Sequence, residues 1–151
     1  MIRTILSAAL AVAFVAGVSA QDKPNFAGTW RVDPSRSDQF SAGAAPQTIT
    51  VEGNKMTINR TVAGNSQSTV LMLDGTPSKN MSGPAGNQRE ITYTSKWEGN
   101  VLVTTYAPSA MYTDVERRSI EADGTMKVEV THTFTKEPKS ETSTRVFNKV
   151  K

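Results

Sequence analysis

The sequence predicts an all-β chain: an up-and-down antiparallel β-barrel of eight to ten strands, with a two-sheet β-sandwich as the alternative. Three observations carry this. Apolar and polar residues alternate with a period of two along most of the chain. The alternating segments are rich in threonine, valine and isoleucine, which suit a pleated surface. The breaks between them are short Gly, Asn and Asp turns, which join only antiparallel neighbours.

Nine segments qualify as strands: "FAGTWRVD" (26–33), "QTITVE" (47–52), "KMTINRTV" (55–62), "STVLML" (68–73), "REITYTSKW" (89–97), "NVLVTTY" (100–106), "DVERRSIE" (114–121), "MKVEVTHTF" (126–134) and "ETSTRVFNKV" (141–150). Glu52-Gly53-Asn54, Glu98-Gly99-Asn100 and Ala122-Asp123-Gly124-Thr125 separate three pairs of them. Gly-Asn and Asp-Gly supply the positive φ angles of tight hairpins. Asp33-Pro34 fits a helix start, so "PSRSDQF" is expected to make one helical turn. "SAGAAP" (41–46) reads as a linker, and "DGTPSKNMSGPAGNQ" (74–88) as a long flexible loop or lid. Consecutive short hairpins favour a barrel over a sandwich, because Greek-key sandwiches need long crossovers, and closure also hides strand edges.

The first 20 residues stand apart. Arg3 is followed by the apolar run "ILSAALAVAFVAGV" and then Ser19-Ala20. A basic start, a short apolar stretch and small residues before the cut describe a signal peptide cleaved after Ala20. The run is shorter than the roughly 20 residues that span a bilayer. With no cysteine in the chain, a lipoprotein anchor is excluded. Residues 21–151 then form one exported domain, periplasmic or extracellular. Absence of cysteine suits a bacterial export product held by its core alone.

The formal charge of +3 is interleaved, as in "DVERRSIEADG" and "TKEPKSETSTR". No basic stripe calls for nucleic acid, and no stable membrane insertion is expected. The single histidine and the lack of cysteine leave no Cys-His chemistry and no ordinary zinc site. No Gly-x-Ser-x-Gly elbow, phosphate loop or dinucleotide fingerprint is present. No cofactor or metal is implied. Any barrel-based enzyme would have to act through His132.

Period-two sorting assigns the inward faces. Met56, Ile58, Arg60 and Val62 align on one strand; Ile91, Tyr93 and Trp97 on another, with Ser95 between; Met126, Val128, Val130, His132 and Phe134 on a third. Residues 101–103 are apolar on both faces. The face of 114–121 is ambiguous, because Arg118 and Ile120 share it with Asp114 and Glu116, a carboxylate pair expected in solvent.

The ends of the chain carry a family resemblance. "FAGTWRV" resembles the Gly-x-Trp opening shared by lipocalins and fatty-acid-binding proteins. "TSTRVFNKV" resembles the last strand of fatty-acid-binding proteins, which ends Thr-Arg-x-Tyr. "FAGTWRVDPSRSD", "WEGNVLV" and "SIEADGTMKVEVT" together are similar to a group of small exported bacterial lipocalin-like proteins. The resemblance implies a calycin-type barrel over residues 25–150. It also implies barrel-end closure by Gly28, Trp30 and Arg145, with the arginine packed over the tryptophan as in lipocalins. In fatty-acid-binding proteins the matching arginine and a tyrosine two residues on hold the ligand carboxylate. Here that second position is Phe147, and the stretch between the first two strands is too short for their helical lid.

The function expected is binding of a small hydrophobic or amphipathic ligand inside the barrel. Candidate lining residues are Met56, Ile58, Arg60, Tyr93, Trp97, Val130, His132 and Phe134, with Arg60 as the anchor for an acidic group. The alternatives are a filled barrel with a structural or interaction role, and a barrel enzyme using His132. Oligomeric state is left open.

Overall fold

The computed structural model describes residues 22–39, 43–84 and 86–151. The proposed signal peptide and its cleavage point lie outside them, as do parts of the expected helical turn and linker. Ten strands follow: β1 (Gly28–Val32), β2 (Gln47–Glu52), β3 (Lys55–Val62), β4 (Asn65–Met72), β5 (Ser78–Ser82), β6 (Arg89–Glu98), β7 (Val101–Ser109), β8 (Tyr112–Ile120), β9 (Met126–Phe134) and β10 (Ser140–Lys149). Among the described residues there is no helix.

The strands form one antiparallel sheet in the order β4-β3-β2-β1-β10-β9-β8-β7-β6-β5. This is a sequential meander in which the first and last strands pair, Trp30 opposite Lys149 and Val32 opposite Phe147. The two end strands of this order, β4 and β5, are not laddered to each other; they face across a seam that brings the sheet round into a nearly closed barrel, and the β7–β8 ladder shifts register between Tyr106 and Ser109. Side chains span that seam. The Val70 N–H donates to Asn80 Oδ1 at 2.7 Å, and Asn80 Nδ2 and Ser78 Oγ donate to Val70 O at 2.9 and 2.7 Å. Both backbone polar groups of one edge residue are thereby satisfied without a ladder.

The strand β5 corrects the expectation of a loop over 74–88. "SKNMS" carries no apolar alternation; its buried position is Asn80. A strand whose inward work is polar leaves no hydrophobic signature to read.

Among the described residues, the expected helical turn after Asp33 is a single tight turn and no helix, with the Arg36 N–H donating to Asp33 O at 3.3 Å. Asp33 Oδ1 accepts from the Ser35 N–H (3.0 Å) and Ser35 Oγ (2.6 Å), closing an Asx turn. The chain then runs beside β10: Asp33 N donates to Val146 O, Val146 N to Ser37 Oγ, and Asp38 N to Thr144 O. Residues 33–38 thus continue the wall beyond the end of the short β1.

Two tight turns behave as the sequence predicts. Gly53 and Gly99 adopt φ of 59° and 58° in the β2–β3 and β6–β7 hairpins. Gly28 has a separate reason to be glycine. Its φ is 136°, and a Cβ there would lie 2.6 Å from Lys149 Cε. The space above Gly28 carries the lysine stem toward the Trp30 ring, which the Lys149 ammonium covers at 5.4 Å. The cation over Trp30 is therefore Lys149, not Arg145: register places Lys149 beside the ring and Arg145 farther along the strand.

Residues 101–103 resolve simply. Leu102 points into the core. Val103 lies between Lys96 and Arg117 of the flanking strands, whose side chains converge on Glu98. Long charged stems flank it, as amphipathic side chains can.

Turns 53–54, 73–77, 99–100 and 121–125 share one end of the barrel, here the lower end. An aromatic plug fills it. Phe26 and Trp30 are each 1% exposed, and Trp30 Nε1 donates to Phe26 O at 2.8 Å. Phe26 stacks on Trp97 with ring centroids 5.8 Å apart. Ile49, Met56, Leu102 and Met126 are buried with them. Residues 22–27 serve as the stopper, tied down where Lys23 Nζ donates to Gly99 O.

Candidate functional site

The upper half of the barrel is hollow. A cavity of about 280 Å3 lies under the β1–β2 connection, lined by Gly43, Ala44, Ala45, Gln47, Arg60, Val62, Glu116, Arg118, Val128, Arg145 and Phe147. A second, of about 100 Å3, lies toward the β4–β5 seam. Ile58, Arg60, Gln67, Thr69, Leu71, Ser82, Tyr93, Thr104, Tyr106, Glu116 and Arg145 line it. Arg60, Glu116 and Arg145 belong to both linings and stand between the two chambers.

Each of these residues arrives by strand alternation. On β8, Asp114, Glu116 and Arg118 are all buried, so the ambiguous face is the inward one. The carboxylate pair expected in solvent is inside the barrel. Arg118 is 2% exposed; its Nη2 donates to Glu116 Oε1 at 2.6 Å and its Nη1 reaches Met126 Sδ at 3.2 Å. Its Nε is buried without a hydrogen-bond partner among the described residues. Such an orphaned donor marks a polar site that protein atoms alone do not complete.

The electrostatics follow from three guanidiniums grouped round one carboxylate. Burial opposes the charge on Glu116, but Arg118 and Arg60 outweigh it and hold its carboxyl below the ordinary range. Burial lowers the Arg60 value, Glu116 partly restores it, and Arg118 and Arg145 lower it again. Arginine keeps its proton regardless, so Arg60 stays charged, with burial as the largest influence against that charge. Tyr93 and Tyr106 stack at 4.7 Å. Burial raises both hydroxyls, and for Tyr106 the neighbouring Glu116 and Asp114 raise it further. Both stay neutral; the Tyr106 hydroxyl spends its proton on Asp114, and Tyr93 faces the seam-side chamber.

Asp114 is occupied separately. His132 Nδ1 meets its Oδ1 at 2.5 Å, and the Tyr106 hydroxyl hydrogen-bonds to it. His132 is partly buried, with Tyr112 edge-on to its ring at 5.5 Å. It lines neither chamber.

The sequence-derived residues therefore divide. Ile58, Arg60 and Tyr93 line the chambers, and Arg145, expected at the barrel end, joins them. Met56 and Val130 are packed core, and Trp97 covers the plug. His132 and Phe134 stand on the upper part of β9. Sequence reasoning did not name Gln47 or Tyr106, and it set Glu116 and Arg118 on an ambiguous face without counting them as site residues. The available signal was the charged row on β8, whose neighbours on the same face include Ile120.

A larger hollow, about 510 Å3, lies at the lower rim between residues 23–27 and the β2–β3 and β4–β5 turns. Its ionisable groups are engaged locally: Lys23 with Gly99 O, and Asp74 with Asn54 Nδ2 and the Thr76 N–H. Among the described residues, no group of three or more His, Asp or Glu could hold a metal ion.

No protein-family model matches the chain. No curated protein matches it either. Solved structures do. A mutant of the fatty acid transporter REP1-NXSQ superimposes with a TM-score of 0.61 at 20% identity, covering 82% of this chain and 97% of that one. Fatty-acid-binding protein 1 of Echinococcus granulosus gives 0.58 at 14% identity, covering 83% and 98%. The likeness is one of fold: this chain shares the antiparallel β-barrel architecture of those two proteins.

Proposed function

We propose that this chain is an exported binding protein that holds a small amphipathic molecule with an acidic group in the upper half of its barrel. One observation carries the reading. Arg60, Arg118 and Arg145 surround the single carboxylate of Glu116 on the walls of two adjoining cavities. Arg118 is buried and its Nε finds no hydrogen-bond partner among the described residues; an incompletely bonded buried cation is costly, and an anion entering the cavity offsets that cost. The apolar part of the larger lining, Ala44, Ala45, Val62, Val128 and Phe147, offers contact for a hydrophobic body. Two solved structures of the same fold, a fatty acid transporter and a fatty-acid-binding protein, agree with a ligand of this kind. Export rests on residues 1–20, and an intact mass beginning at Gln21 in protein recovered from its host is the expected result.

Titration calorimetry with octanoate and octanol tests the anion site. The acid is expected to bind more tightly than the alcohol. Arg60→Ala should weaken octanoate at least tenfold and leave octanol nearly unchanged, as loss of a charge-assisted contact predicts. Equal losses for both would remove Arg60 as the anchor. A filled barrel without a ligand is the second reading, favoured by the solid packing of the lower half.

A further inference from the structure

We infer that the ligand is a compact acid, with an apolar body no longer than about eight to ten carbons, and not a long-chain one. This rests on the anion site proposed above and concerns how much chain that site can cover.

Three boundaries confine a molecule whose acidic group sits at Arg60 and Arg145. Downward, Ile58, Leu71, Val128 and Phe147 are buried and pack onto the plug of Phe26, Trp30, Met56 and Met126. No path runs through a plug in which Phe26 and Trp30 are 1% exposed. Sideways, the seam-side chamber holds only about 100 Å3, and Gln67, Thr69, Ser82, Tyr93, Thr104 and Tyr106 line it. Thr104 and Tyr106 are bonded to Ser95 and Asp114, but an alkyl chain there would keep water from the polar groups of Gln67, Thr69, Ser82 and Tyr93. That chamber suits water or a polar substituent. Apolar chain is left with the cavity beside residues 43–45, whose volume of about 280 Å3 falls just below the roughly 300–1,000 Å3 typical of small-molecule sites. Val62, on its upper wall, is 42% exposed, so a longer chain passes out into water there. Carbons beyond that point gain nothing from burial.

The test is a chain-length series on the wild-type protein: carboxylates of four, six, eight, ten, twelve and sixteen carbons, with the alcohols of the same lengths, below their micelle concentrations. Each buried methylene strengthens binding about fourfold. The acids are expected to gain at that rate up to eight to ten carbons and then level off. A steady gain through sixteen carbons would overturn the length limit and leave the anion site intact. Acids binding no better than alcohols would remove the anion site, and this inference with it. Binding by no member of the series would overturn both.

Discussion

The two halves of the barrel are built from the same strands and do opposite things. On β3 the inward residues run Met56, Ile58, Arg60; on β4, Leu71, Thr69, Gln67; on β7, Leu102, Thr104, Tyr106; on β8, Ile120, Arg118, Glu116, Asp114. Each series starts apolar at the lower end and becomes polar or charged at the upper end. Strand alternation fixes only which residues face inward. Position along the strand decides whether that interior is sealed or hollow. The lower half excludes water with aromatic and aliphatic side chains, where burial is favourable without directional partners. The upper half buries groups that need partners, and its hollow is where a ligand can supply them.

This contrast can be broken at either end. Trp30→Ala should have the largest effect, a loss of about 4 kcal/mol in urea unfolding, because it empties the centre of the plug. Acid binding per folded molecule should persist; full stability with lost binding would place the ligand at the wrong end. Glu116→Gln should cost less, about 3 kcal/mol, by leaving three guanidiniums round a neutral amide. A saturating short-chain acid should restore part of that loss. An unchanged urea midpoint would mean that solvent already neutralises the upper half.

The smallest effect is a pH slope. The folded state holds Glu116 below its ordinary value of 4.5, so its stabilisation is complete above that pH and is lost as pH falls through the lower folded value. Wild-type stability should decline on acidification below about pH 4.5. Glu116→Gln should lack that component of the slope. Identical slopes in the two proteins would show that other carboxylates carry the acid response.

Much of the fold is legible in the chain. Nine of the ten strands, three hairpin turns and the inward faces of β3, β6 and β9 follow from a period of two and from glycine at turns. The tenth strand is not, because "SKNMS" works through Asn80, and a single buried amide makes no pattern. The site is less legible than the fold. Arg60 and Tyr93 betray themselves as polar residues in apolar series. Glu116 and Arg118 do not, since charged residues on a strand look the same whether they face water or one another. Arg145 illustrates the limit further. Its place on the last strand was readable, but a β1–β10 register that sets Lys149 beside Trp30 is what leaves Arg145 at the chamber.

The sequence by itself determined the alternation, the hairpins and therefore an antiparallel barrel, because these depend on residues near one another in the chain. Tertiary structure alone decided that Arg60, Glu116, Arg118 and Arg145, from three strands, share one interior. Coulomb energy and desolvation depend on distance and burial, and both are set only when the barrel closes.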